Sequence, residues 1–456
     1  MPSGDVPRLP PSPNYRILEG PVGTLLLRPW FDTVALNAIA KWFCPLSRGW
    51  AAACVSEGSK DQFIAELGIS SDEISIKPSK LQKVHASRRR YGQTKNNWED
   101  VYFGDSVSTP EELVRAQREL ASAEHEQLRL RRLFLSHRSR MPLLKWSVAT
   151  PQEVAAIHQT RLTNEAFPAP PETEIMQSVS VLGEWGEEFH LKLQSPTDVS
   201  SDTARAHVFL PEDGKIRATL VLLHGICLEP VMWDALAYPA KALTRQGVRV
   251  VLPTGPWHGR RAPEGQFGGE NILMRGPLGF IDAFKAWVAE SALWIRWSRS
   301  TANGPVGLGG VSLGALTAQL ATVASRDWPD NDQPDAIMLI TTSGDMTDVA
   351  FGSVMADKLT LTQRISEKRW TAETLSQWLP LLQPEGEPVI SQEKIVMLLG
   401  SADRLTPFEG GLALAQRWKI PEENLFIRRQ GHFSGALGLS HDATPLKRFT
   451  EILLQS

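Results

Sequence analysis

From about residue 176 to the C-terminus, apolar positions fall into short, nearly continuous runs separated by stretches of helical spacing. The runs at 218–223, 248–252, 306–311, 336–341, 395–399 and 425–427 carry few polar interruptions. Strands of that kind are buried on both faces, which is the condition of a parallel sheet covered by helices. Segments 178–182 and 190–194 read as edge strands, and a further strand run at 206–210 precedes the main set. The expected class is therefore α/β, with a mostly parallel central sheet and helices on both faces.

Residues 1–170 lack this patterning. The start, 1–28, is rich in proline and polar residues and is expected to be disordered, whereas 29–170 reads as a mostly helical extension. Segment 109–137 opens Thr-Pro-Glu-Glu, an N-cap followed by proline and acids in the first turn. It continues with Leu113, Leu120, Leu128 and Leu133 among charges, the signature of an amphipathic helix. Pro-Ala-Pro-Pro at 168–171 reads as a hinge, so the α/β domain is placed at 171–456. Within it, 346–390 lies between strands and is rich in tryptophan and leucine. That segment has the size and place of a small helical cap.

Four short segments carry chemistry. Gly310-Val311-Ser312-Leu313-Gly314 stands between an apolar strand and an alanine-rich helical segment. A serine on a sharp strand-to-helix turn needs glycine on either side, because side chains there would collide, and it presents its hydroxyl as a nucleophile. Serine is a weak nucleophile at its own pKa, so a base and an acid must follow. Asp403 lies after the strand Lys-Ile-Val-Met-Leu-Leu-Gly, and His432 follows the last strand after a glycine, giving the order serine, acid, histidine. Asp345 is the rival acid; His258 and His441 are rival bases. His224-Gly225-Ile226 follows the first apolar strand, so the backbone N–H groups of Ile226 and Leu313 are the expected oxyanion-hole donors. Cys227, His258 and Arg260 lie on loops at the same end of the sheet and are expected to line the substrate pocket, with Arg260, Arg261 and Arg404 facing either an anionic group or local carboxylates.

With these residues in place, the C-terminal two-thirds resembles the α/β-hydrolase superfamily, and more narrowly the branch of abhydrolase domain-containing protein 18. Ala-Glu-Ser-Ala-Leu-Trp-Ile-Arg-Trp before the elbow strand, Gly-Pro-Val-Gly-Leu-Gly-Gly-Val-Ser-Leu-Gly at the elbow, Ser-Ala-Asp-Arg-Leu-Thr-Pro and Gly-His-Phe-Ser-Gly-Ala-Leu carry the similarity, together with the tryptophan-rich helix near the N-terminus. The resemblance implies serine ester hydrolysis, with a lipid among the substrates it suggests. A lipase, phospholipid deacylase or thioesterase would use the same triad. A non-catalytic binding protein of the same fold is the reading from another class.

Composition narrows the surroundings. The 456 residues exceed the roughly 250–300 that a single core accommodates, in keeping with a domain plus an extension. A formal charge of −3 gives no reason to expect a polyanionic partner for the whole chain, and nucleic acid is not expected. Locally, residues 77–145 hold 15 Lys or Arg against 8 Asp or Glu, a patch suited to phosphate head groups or to a solvated helical face. The aromatic section 30–55 is broken by Lys41, Pro45 and Arg48, too polar to span a bilayer but able to rest on its surface or to pack on the main domain. Cys44, Cys54 and Cys227 are too few and scattered for a disulfide framework. A cytoplasmic protein, peripheral to a membrane at most and not secreted, is expected. No nucleotide-binding loop or metal-ligand spacing occurs, so no cofactor or metal is expected. The expected partner is a small-molecule or lipid ester.

Overall fold

A computed structural model describes residues 7–9, 27–200, 202–229 and 237–456. The expected disordered start therefore lies mostly outside the described residues. Within it, Leu9 N–H donates to Leu182 O and Leu182 N–H to Pro7 O, so residues 7–9 run beside a strand.

The strands among the described residues are β1 (Ile175–Gln177), β2 (Val181–Gly183), β3 (Gly186–Gln194), β4 (Thr203–Phe209), β5 (Ala218–Leu223), β6 (Val248–Thr254), β7 (Val306–Val311), β8 (Ala336–Ile340), β9 (Ile395–Gly400) and β10 (Leu425–Arg428). They form one sheet in the order β1-β3-β4-β6-β5-β7-β8-β9-β10, with β2 also paired on β3. Pairing is antiparallel from β1 to the β4/β6 boundary and parallel from β6 to β10. The parallel strands β5, β7, β8 and β9 are buried throughout, which is why they read as continuous apolar runs. The edge expected at 178–182 is two short strands instead of one. Ser178 Oγ accepts from His190 N–H where a backbone carbonyl would stand, and this interrupts the ladder.

The N-terminal region is helical: α1 (Pro29–Ala38), a π turn (Ile39–Phe43), α2 (Cys44–Val55), α3 (Lys60–Leu67), α4 (Pro78–Phe103) and α5 (Pro110–Leu130). Helix α5 begins with a capping box in which Thr109 and Glu112 bond each other's backbone N–H, and it buries Leu113, Ala116, Leu120, Ala123, Gln127 and Leu130. These are spaced by three or four residues, as an amphipathic helix requires. It stops at Leu130 because the chain tightens into a 3₁₀ segment, Arg131–Arg140, as Arg131 turns inward.

Side chains of α2, including Cys44, Trp50 and Cys54, share one continuous core with Val221, Leu223, Leu308 and Leu339 of the sheet. The boundary near residue 170 thus does not separate two cores, and the expected hinge is pinned. Arg296 donates to the carbonyls of Pro170 and Pro171, and Trp328 Nε1 donates to Phe167 O. Donors on the main domain find acceptors in a proline-rich segment whose carbonyls have no ladder partner.

Between β8 and β9 the expected cap is a set of short helices, Met346–Phe351, Val354–Lys358, Leu361–Glu367 and Ala372–Ser376. Trp370 and Trp378 anchor it and are almost wholly buried, with Trp370 Nε1 donating to Ala149 O of the N-terminal region. Helices α6 (Pro277–Thr301), α7 (Leu313–Ala324), α8 (His432–Leu437) and α9 (Thr444–Gln455) cover the sheet. No helix among the described residues is long and apolar enough to cross a membrane.

Candidate active site

Strand β5 has β6 on one side and β7 on the other, so a crevice opens at the C-terminal ends of β5 and β7. Ligands of open α/β sheets bind at such switch points. Ser312 stands there, between β7 and α7, with φ 55° and ψ −117°, a conformation that a residue with a side chain adopts only when its surroundings force it. The surroundings are tight. A Cβ on Gly310 would lie 2.2 Å from the carbonyl of Gly314, and one on Gly314 would lie 2.4 Å from Leu223 O. Both glycines of the pentapeptide are thus required by close backbone approach.

His432 opens α8, and its Nε2 lies 2.8 Å from Ser312 Oγ. Its Nδ1–H donates to Asp403 Oδ2 at 2.8 Å. Asp403 is buried and held from four sides: Oδ1 accepts from the N–H groups of Leu405 and Thr406, and Oδ2 accepts from His432 and from Thr406 Oγ1. Burial by itself would push the imidazole pKa down. The Asp403 carboxylate and then Asp32 act against it, and the net shift is upward from the ordinary histidine value. Asp345 stands apart; it is exposed and caps the helix Met346–Phe351 by accepting from Thr347 and Asp348 N–H. His441 is exposed as well.

The loop after β5 is braced by two buried histidines. His224 Nδ1–H donates to Gly225 O and its Nε2 accepts from Gly255 N–H; His258 Nδ1–H donates to Pro256 O and its Nε2 accepts from Cys227 N–H. Each ring therefore needs one bare nitrogen. Burial pushes His224 down to about 4 and His258 well below the ordinary value. Between pH 6.5 and 4 the unfolded chain binds a proton at residue 224 that the folded chain refuses, so stability should fall as pH drops through that window and level off below it. Replacing His224 with glutamine should make the denaturation midpoint less pH-dependent there. Parallel pH curves for the wild type and the variant would rule the imidazole out as the linked group.

Above Ser312 lies a cavity of about 650 Å³. Leu316, Phe280 and Leu273 line it from the main domain, Val349, Met355 and Leu359 from the cap, and Phe31, Ala35, Ile39 and Trp42 from the N-terminal region. Ile226, Cys227, Leu313 and His432 also face it. Leu313 is the first residue of α7, so its N–H is one of the donors a helix leaves unpaired at its start. Two expected pocket residues are elsewhere. His258 and Arg260 line a separate crevice of about 150 Å³ with Trp98, Glu124, His190 and His207, not the cavity over Ser312. Arg260 pairs with Glu124 and lies over the Trp98 ring, and Arg261 is buried between Asp202 and Glu290, so local carboxylates take both guanidiniums. The part of the cavity wall supplied by α1 was not anticipated, although its 3- and 4-residue spacing of Phe31, Ala35 and Ala38 was available as a signal.

Residues 189–354 match the sequence profile of a family described as Alpha/beta hydrolase domain containing 18. The chain resembles this branch and has the α/β-hydrolase fold. The match runs from β3 into the cap and includes Ser312 and the loop after β5; Asp403 and His432 lie beyond it. Among solved structures, the chain is similar to the acylaminoacyl peptidase of Pyrococcus horikoshii, with 13% identity and a TM-score of 0.39 over 62% of this chain and 47% of that one. It spans about half the length of that peptidase. It is also similar to acetyl xylan esterase 1 from Thermoanaerobacterium sp. JW/SL YS485, with 14% identity and a TM-score of 0.42 over 65% of this chain and 96% of that one. No curated protein matches the chain by sequence.

Proposed function

We propose that the protein is a serine hydrolase that cleaves a carboxylic ester through an acyl-enzyme intermediate. The observation that carries this reading is the relay of 2.8 Å contacts from Ser312 Oγ to His432 to Asp403 beneath a largely apolar cavity. Ser312 Oγ attacks the carbonyl carbon while His432 Nε2 takes its proton. Asp403 fixes the imidazole tautomer and stabilises the imidazolium that forms. The N–H groups of Ile226 and Leu313 receive the developing oxyanion, each such donor lowering the barrier by roughly 3 kcal/mol. His432 then returns the proton to the leaving alcohol, and water repeats the sequence to release the acid.

The cavity favours an apolar acyl group. A second reading, a lipid ester or thioester taken from a membrane surface, is favoured by the outer face of the same N-terminal helix. Trp30 is 46% exposed and Val34 54%, while Phe31, Ala35 and Ile39 turn into the cavity. Both readings are open to one experiment. A fluorophosphonate probe should label the protein, and p-nitrophenyl esters should be turned over faster as the acyl chain lengthens. Anionic vesicles should stimulate long-chain turnover only if the second reading holds. Folded protein that takes no label and turns over no ester would leave the fold serving binding instead of catalysis.

A further inference from the structure

We propose that Asp32, carried by α1, is a positioning residue for the base: its carboxylate seats the first turn of α8 and holds His432 against Ser312. The N-terminal helical region is then part of the catalytic apparatus and not an appendage to it. This inference rests on the triad reading above.

The contact is built like a functional one. Asp32 is a buried carboxylate, 8% exposed, in a helix that is otherwise mostly apolar. A buried carboxylate is costly unless hydrogen bonds satisfy it. Among the described residues, its donors come from the turn that carries the base. Oδ1 accepts from Phe433 N–H at 2.6 Å, and Oδ2 accepts from Ser434 N–H and Ser434 Oγ–H. Ser434 Oγ in turn accepts from Gly431 N–H at 2.9 Å, so the backbone on both sides of His432 is tied to one carboxylate. The first N–H groups of a helix have no partner within the helix, and Asp32 supplies one from about 400 positions away in the chain. The approach is close enough to require glycine before the base. A Cβ on Gly431 would lie 2.5 Å from the Asp32 carboxyl carbon.

The same region reaches the other half of the site. Arg131 donates to Ser47 Oγ and pairs with Glu229, two residues after Cys227 in the segment that follows β5. Gln430 Nε2 adds a bond to Leu27 O beside α1. The region thus grips both the base turn and the oxyanion loop.

Charge distinguishes this role from capping alone. Asp403 on the β9 loop contacts the His432 ring, and Asp32 on α1 acts on it by charge from the next two residues of the turn; Glu229, Arg131 and Arg132 line the same cavity, where Arg131 and Glu229 neutralise one another. Arg404, next to Asp403, is exposed. Asp32 therefore adds to Asp403 in favouring the protonated imidazole that forms as Ser312 attacks.

The test compares wild type, Asp32→Asn and Ser434→Ala in the full chain, reading the rate of fluorophosphonate labelling from pH 5 to 9 and the denaturation midpoint. Asp32→Asn keeps the shape but removes the charge. It should label about 10²-fold more slowly, the loss expected of a misplaced catalytic group, and the acid limb of its pH profile should move to lower pH. Ser434→Ala keeps the charge and loosens the seat, so its rate should fall with the acid limb in place. An Asp32→Asn variant that folds and keeps either its rate or its acid limb overturns the proposal. If Asp32→Asn does not fold, an unchanged rate in Ser434→Ala overturns it. Wild type that takes no label would instead remove the triad reading on which the inference stands.

Discussion

Replacing Ser312 with alanine is expected to lower ester turnover roughly 10⁶-fold, the loss found when the nucleophile of a serine triad is removed. The denaturation midpoint should barely move. Ser312 Oγ is bonded to His432 Nε2, and the strained backbone at φ 55° is imposed by Gly310 and Gly314 whichever small side chain stands between them. Asp403→Asn should cost about 10⁴-fold, because an amide in place of the carboxylate lets the imidazole present the wrong tautomer to Ser312. The alternative nucleophile within reach of the cavity is Cys227. Burial pushes its thiol well above the ordinary value, and the thiolate that would react is correspondingly scarce. Turnover in Ser312→Ala within tenfold of wild type would nonetheless transfer the role to Cys227 or to another residue, and Cys227→Ala in the same background would decide which.

The parts of this site that were legible in the chain share a physical cause: each is local. A strand buried on both faces must be apolar throughout, so β5, β7, β8 and β9 announce themselves within a residue of their ends. The elbow at Ser312 depends on glycines two positions away on either side, and the turn that fixes Asp403 is written in its own next three residues, where Leu405 and Thr406 N–H return to its side chain. What was illegible is carried by contacts between distant segments. Nothing in Pro-Trp-Phe-Asp-Thr-Val singles out Asp32, and only the folded chain brings Phe433 and Ser434 to it. Arg131 counted toward a basic patch, but it lies inside, over Trp50 and Phe43 and against Glu229. Charge runs cannot distinguish a solvated arginine from one paired with a carboxylate a hundred residues on. His258 and Arg260 lie on a loop at the same end of the sheet, as expected, yet line a neighbouring crevice, because strand position alone does not say which way a loop folds.

Arg48→Met is expected to destabilise the protein by about 3–5 kcal/mol, the loss characteristic of breaking a buried ion pair from one side. Arg48 and Glu270 are both wholly buried. The guanidinium donates to both Glu270 oxygens, to Gly265 O and to Glu66, while Glu270 also accepts from the N–H groups of Lys145 and Phe267. Methionine fills much of the vacated space, so the penalty comes from a carboxylate left among apolar groups without its cation, and from Gly265 O without its donor. Arg48→Met combined with Glu270→Leu removes both charges and should recover part of the loss, though not the bonds to Lys145 and Phe267. The single losses should therefore exceed the double when added, a coupling that denaturant midpoints can read. Simple additivity would mean that the two charges do not depend on each other. The consequence extends to the site, because Gly269, beside Glu270, packs against Cys227 so closely that a Cβ there would lie 2.9 Å from Cys227 N. Weakening the Arg48 pair should loosen the floor of the loop that carries Ile226 and Cys227, and Arg48→Met should lose labelling rate at temperatures where it is still folded.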